Sequence, residues 1–176
     1  MKLEATVEIP FPRSRVFEVY RDKLVDLVPY LPNIRGIDVV ERTDDGQVTR
    51  LLNRWRGGGE IPAAARSFLS EKLLEWDDHA TWDGQAFTTD WRVEVPAFRE
   101  AVRASGKNTF EALGAERTRF RIEGELVIDA AKIPGIPKLL SRTVAPVVER
   151  FLVAAIKPNL VEVTRGVERY LREKGG

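Results

Sequence analysis

A chain of 176 residues, 43% hydrophobic and 31% charged, has the size and make-up of one globular domain spanning 1–176. Its formal net charge of +1 gives no bulk electrostatic reason to seek nucleic acid or an anionic membrane. The lack of cysteine removes disulfides, thiolate nucleophiles, zinc ribbons and iron–sulfur clusters, and the single His79 removes any site that needs two imidazoles.

Leu3, Ala5, Val7 and Ile9 share one parity, the pattern of a strand with one buried face, and Pro10 and Pro12 end it. The opening segment lacks the uninterrupted apolar run of a signal peptide. No run of about 18 apolar residues occurs anywhere, so neither integral membrane association nor export is expected and a cytoplasmic location is the default. Val16, Phe17, Tyr20, Leu24, Leu27 and Val28 then recur at helical spacing until Pro29 and Pro32, predicting one helix or a pair broken near Asp22.

From Gly36 to Asp129 the period changes to two. Strands are predicted near 36–43, 47–56, 73–83, 87–95, 101–112 and 117–129, with Asp44-Asp45-Gly46, Asp83-Gly84, Pro96 and Gly114 as breaks. The Asp-Gly pairs offer the positive φ of tight hairpins, and the short links imply antiparallel neighbours. Residues 62–72 do not alternate and read as a short helix or ordered loop able to act as a lid. Ile133-Pro134-Gly135-Ile136-Pro137 is a rigid connector. A long amphipathic helix follows from about Thr143 to Lys174, its apolar stripe running through Val144, Val148, Phe151, Ala155, Val163, Val167 and Tyr170. Pro158 is expected to kink it, and 172–176 to fray.

Three stretches invite a chemical reading, and each has a plainer one. Asp77-Asp78-His79 is the one meeting of imidazole and carboxylates, but parity places Asp77 and His79 outward, on an exposed acidic strand face. Arg54-Trp55-Arg56-Gly57-Gly58-Gly59 lacks the Gly-Lys-Ser/Thr of a phosphate loop and reads as a bulged strand end. Arg117, Arg119 and Arg121, opposed by Glu111, Glu123 and Glu125, read as a solvated mixed-charge face. No metal site and no cofactor is called for.

The element order, together with Phe11-Pro12-Arg13-Ser14-Arg15-Val16-Phe17, Tyr30-Leu31-Pro32, Gly124-Glu125-Leu126 and Pro158-Asn159-Leu160, resembles the START-like superfamily of polyketide cyclases, coenzyme Q-binding proteins and birch-pollen-allergen-like proteins. The resemblance implies an α+β helix-grip fold, a curved seven-stranded antiparallel sheet wrapped around the C-terminal helix. It also implies a guest held between sheet and helix, while no catalytic residue transfers with it. If Leu3, Val7 and Ile9 face inward, the same face takes Val39, Asn53, Trp55, Trp76, Asp78, Trp82, Thr89, Trp91, Asn108, Phe110 and Phe120, with Phe151, Ala155 and Asn159 facing them from the helix. All four tryptophans fall on this wall, where they line a pocket or fill a core. Asn53, Asp78, Thr89 and Asn108 need partners there, because an unpaired polar group in a dry interior costs about 1–3 kcal/mol.

The expected function is binding, carriage or presentation of a hydrophobic small molecule: a lipid, an isoprenoid quinone or a polyketide-like aromatic. A cyclase- or hydratase-type enzyme is the alternative, and a partner-binding module with a packed core is another. The oligomeric state is left open.

Overall fold

The computed structural model describes residues 1–58, 74–129, 132, 146, 150 and 161–174. Period-two alternation is realised as seven strands, β1 (Lys2–Ile9), β2 (Ile34–Asp44), β3 (Val48–Gly57), β4 (Glu75–Asp83), β5 (Thr88–Glu94), β6 (Val102–Gly114) and β7 (Arg117–Ile128). They make one antiparallel sheet in the order β1-β7-β6-β5-β4-β3-β2. From β2 to β7 each strand lies beside its sequence neighbour, as short links require, whereas β1 pairs with β7. Between Ile9 and Ile34 the chain therefore has to travel from one edge of the sheet to the other.

That journey is made by α1 (Arg13–Asp22) and a 3₁₀ segment, Val25–Tyr30. Pro12 suits the entry, since its fixed φ fits the residue before the first turn and no amide is lost there. Val16, Phe17, Val19 and Tyr20 give α1 one buried face. The predicted break near Asp22 is observed, with Lys23 closing α1 and Pro29 lying inside the 3₁₀ segment. The Thr118 hydroxyl donates to the Phe11 carbonyl at 2.8 Å, fixing the approach of α1 to β7.

The turns follow the sequence in part. Gly46 at φ +90° and Gly114 at φ +145° use the conformations that glycine allows. At the β4–β5 turn the positive φ belongs to Phe87 (+53°), not to Gly84. The Asp83 carboxylate accepts from the Gln85 and Ala86 amides at 2.9 and 2.8 Å, which lengthens the turn to four residues. Phe87 is held in this strained state from three sides. Its carbonyl accepts from the Phe110 amide at 3.0 Å, its ring meets Phe17 edge-on at 5.2 Å, and the Arg13 guanidinium lies 3.8 Å above it.

The bulges expected at Gly57–Gly59 lie instead in the partner strand β2, where register shifts fall between Ile34 and Gly36 and between Val39 and Glu41. Gly57 belongs to β3, the Gly58 amide donates to Asn33 at 2.8 Å, and Gly59 lies outside the described residues. Val39, expected inward, does pair with the inward Asn53, yet it is 47% exposed, beside the second shift on the edge strand of the sheet.

Residues 161–174 form a helix, here α2, that buries Val163, Thr164, Val167 and Leu171. A methyl at Gly166 would come within 2.7 Å of Leu31, so glycine lets α2 rest on the 3₁₀ segment. Tyr30 donates to Glu173, Arg169 donates to the Tyr30 carbonyl at 2.5 Å, and Arg172 pairs with Glu168. Residues 172–174 are thus an ordered helix end rather than a frayed tail. The predicted lid at 62–72, the connector at 133–137, most of the long helix, its Pro158, and residues 175–176 lie outside the described residues.

Candidate inner-face site

Strand register stacks the inner-face residues into ladders that cross the sheet. One ladder runs Asn53, Asp78, Val93, Ala104, Leu126. The next runs Leu51, Ala80, Trp91, Gly106, Gly124, Leu3, and a third runs Thr49, Trp82, Thr89, Asn108, Ile122, Ala5. Beyond the first lies the pair Trp55–Trp76, and beyond the third Phe110, Phe120 and Val7. The expected parity therefore holds for Asn53, Trp55, Trp76, Asp78, Trp82, Thr89, Trp91, Asn108, Phe110 and Phe120. Phe151, Ala155 and Asn159 lie outside the described residues.

The two ends of this face differ from its middle in bulk. At one end Phe17 and Tyr20 of α1 pack with Trp82, Phe110 and Phe120, ring centroids 4.8–6.1 Å apart. These rings are buried and make a solid aromatic cluster. At the other end Trp55 and Trp76 stack at 5.8 Å with planes 14° apart. Between them lie Ala80, Ala104, Gly106 and Gly124. The half-buried Trp91 lies over the two glycines, whose added Cβ atoms would sit 2.5 and 2.9 Å from its ring. The Trp91 indole N–H donates to Asn108 Oδ1 at 2.9 Å, so this indole is fixed by both shape and hydrogen bonding.

Other polar atoms on the face are not matched. Asn53 and Thr89 are each 1% exposed, yet Asn53 Oδ1 and Thr89 Oγ1 have no hydrogen-bond partner, nor do the indole nitrogens of Trp55 and Trp82. Asn53 Nδ2 donates a long bond, 3.4 Å, to Asp78 Oδ2. Asp78 keeps part of its surface accessible, but protein encloses its carboxyl, and burial raises the pKa to about 6. The Asn53 amide and the Trp55 indole oppose that rise. The indole N–H lies near enough to favour the anion without making a bond of normal geometry. Burial likewise raises the Tyr20 phenol above its ordinary range, with a Thr164 hydrogen bond acting against the rise and the Asp78 charge adding to it. Tyr20 and Thr164 thus extend the polar cluster to α1 and α2.

Asp77 corrects one expectation. It does face away from Asp78, but it is 7% exposed rather than part of an open acidic face, because Arg54 grips it through two bonds of 2.8 and 3.1 Å. The 3₁₀ turn Pro96–Phe98 also packs on β4. Arg119 bridges Glu8 and Glu111 at 3.2 and 3.3 Å, the cross-strand pairing expected of the mixed-charge face. An open groove of about 270 Å³ between α1 and α2 is lined by Arg15, Glu18, Arg21, Asp22, Lys23 and Lys174 among others, and holds none of the predicted site residues. Among the described residues there is no cluster suited to a metal ion and no helix long and apolar enough to cross a membrane.

A curved antiparallel sheet closed by α1, a 3₁₀ segment and a C-terminal helix, with a mixed aromatic and polar inner face, defines a START-like helix-grip fold. Solved structures agree. TTHA0849 from Thermus thermophilus is similar at 20% identity and TM-score 0.67, with 100% of both chains covered. The Zhui aromatase/cyclase from Streptomyces sp. R1128 matches at 20% identity and TM-score 0.64, covering 100% of this chain and 98% of that one. A START superfamily protein from Mycobacterium smegmatis matches at 11% identity and TM-score 0.52, covering 98% and 97%. No curated protein matches by sequence. Over residues 4–157 the chain matches the model of a family described as protein of unknown function (DUF2505), and it belongs to that family.

Proposed function

We propose that this protein binds and carries a hydrophobic small molecule between the inner face of its sheet and its C-terminal helix. The observation that carries the reading is the pattern of bulk on that face. Aromatic rings fill both ends, whereas alanine and glycine occupy the middle around a fixed indole plate. A guest there would bury apolar area at about 25 cal/mol per Å², and the unmatched polar atoms nearby would orient it. The aromatase/cyclase and START-like neighbours support the general class. Native mass spectrometry of freshly purified protein, followed by organic extraction, tests the reading. A stoichiometric apolar guest is expected. A protein that arrives empty and takes up neither lipid nor aromatic probes would sink it.

One observation favours a second reading, an enzyme of the cyclase or hydratase type. Asp78, with its pKa raised to about 6, is suited to take a proton or return one near neutral pH. Turnover of a polyketide-like substrate that disappears in Asp78→Asn while guest binding persists would establish it.

A further inference from the structure

The strongest unexplained feature is the ladder step that joins β3 to β4. Asn53 Oδ1 is a buried acceptor with no donor, the buried Trp55 indole N–H reaches the Asp78 carboxylate without a bond of normal geometry, and that carboxylate otherwise receives only a long amide bond from Asn53. All three lie within two positions of one another on paired strands. Leaving such groups unmatched disfavours folding, so a matching group is owed to them.

The chemistry of that group follows from the inventory. It has to give a proton to Asn53 Oδ1 or to Asp78, and it has to offer a lone pair to the Trp55 N–H. A ketone only accepts and leaves Asn53 unmatched. A carboxylate only accepts and also meets the charge of Asp78, to which no cationic group among the described residues contributes. An ammonium only donates and leaves the Trp55 N–H with nothing but its poorly aligned approach to Asp78. A hydroxyl does both, and the Trp55–Trp76 stack beside it supplies a flat apolar bed for the carbon skeleton.

We infer that Asn53, Trp55 and Asp78 form a recognition site for a neutral hydroxyl on the apolar guest, a phenol, enol or alcohol, and that this site discriminates against carboxylate-headed guests. The inference rests on the carrier reading and narrows it.

Four probes that share one ring system separate the two: naphthalene, 1-naphthol, 1-naphthoate and 1-naphthylmethylammonium. Binding is read by quenching of tryptophan fluorescence at about pH 7.5, where the Asp78 carboxyl is ionised. The wild-type chain should hold 1-naphthol about tenfold more tightly than naphthalene, and 1-naphthoate least of all. Asn53→Leu should remove the preference, so that the variant holds 1-naphthol and naphthalene alike. Asp78→Asn, of nearly the same shape, should strengthen 1-naphthoate binding about tenfold by removing the opposing charge, an effect that a merely structural role for Asp78 would not produce. Equal binding of naphthalene and 1-naphthol, tighter binding of the naphthoate or the ammonium than of 1-naphthol, or an order that both variants leave untouched would overturn the hydroxyl site while the carrier reading stands. Failure of all four probes to bind would remove the carrier reading and the site with it.

Discussion

The two ends of the inner face are built from similar residues and treated oppositely. Around Phe17, Tyr20, Phe110 and Phe120 every ring finds another ring, and α1 seals the cluster. Around Asn53, Trp55 and Asp78 the side chains are also buried or half-buried, but Asn53 Oδ1 and the Trp55 indole nitrogen lack partners of normal geometry. The first region has the ring-on-ring complementarity that makes a core stable, although the Trp82 indole nitrogen within it also lacks a partner. The second gives up some of that stability, and a region that does so is where a guest has most to gain by entering.

The contrast can be broken most severely at its packed end. Phe120→Ala removes a fully buried ring, and urea unfolding should record a loss of about 3–5 kcal/mol. The matching truncation at the other end, Trp76→Ala, should cost less than half as much, because Trp76 is half-buried; equal losses would mean that the two ends are packed alike.

Removing the Asp78 charge sharpens the comparison. A carboxyl whose folded pKa, about 6, stands above its unfolded value of 3.8 binds protons more readily in the native state. Its contribution therefore favours folding at low pH and is lost as pH rises from about 4 to about 6. Asp78→Asn should be more stable than wild type at pH 7 by roughly 2–3 kcal/mol. The advantage should vanish near pH 4, and a difference that stays constant over this range would show that Asp78 is not the source.

Overfilling the floor beneath Trp91 comes next. Gly106→Ala should lower stability by about 1–3 kcal/mol and shift the tryptophan emission, since the added Cβ meets the Glu123 carbonyl oxygen at 2.3 Å as well as the indole. Changes at single polar atoms come last. Thr89→Val removes a buried hydroxyl that has no partner to lose and should raise stability by about 1 kcal/mol, whereas Asn108→Leu, which strands the Trp91 N–H, should cost about 1–2 kcal/mol. Thermal unfolding of the two side by side distinguishes a spare polar atom from an employed one.

The strands and the neighbours from β2 to β7 were readable because alternation is strict and the links are short, whereas nothing in the alternation pairs β1 with β7. Parity alone placed Asn53, Asp78, Thr89 and Asn108 on the inner face. It could not tell that Asn108 is engaged by Trp91 while Thr89 is not, since that depends on the reach of an indole across a strand pair. Val39 followed parity opposite Asn53, and its exposure escaped because neither a bulge nor an edge position carries a fixed residue signature; Phe87 escaped because an aromatic rarely takes positive φ unless anchored as this one is. Asp77 followed parity, yet it is buried, gripped by Arg54 on the neighbouring strand. The Tyr20–Thr164 contact joins elements at opposite ends of the chain, and Thr164 breaks an apolar stripe in a way that would have drawn notice only once the helix face was known. Gly124 had a visible signal, its parity with Phe120, Ile122 and Leu126, and that signal marks the indole seat.

The seat of Trp91 has a consequence for descent. Neither Gly106 nor Gly124 has a positive backbone angle to demand glycine. What demands it is close approach: a Cβ at Gly106 would lie 2.3 Å from the Glu123 carbonyl and one at Gly124 2.5 Å from the Ser105 carbonyl, with the indole above nearly as near. The tryptophan should therefore be inherited only together with both glycines, whereas the glycines, held also by the neighbouring backbone, can outlast it. On the carrier reading, lineages that keep the tryptophan on its two glycines should share a guest of one shape.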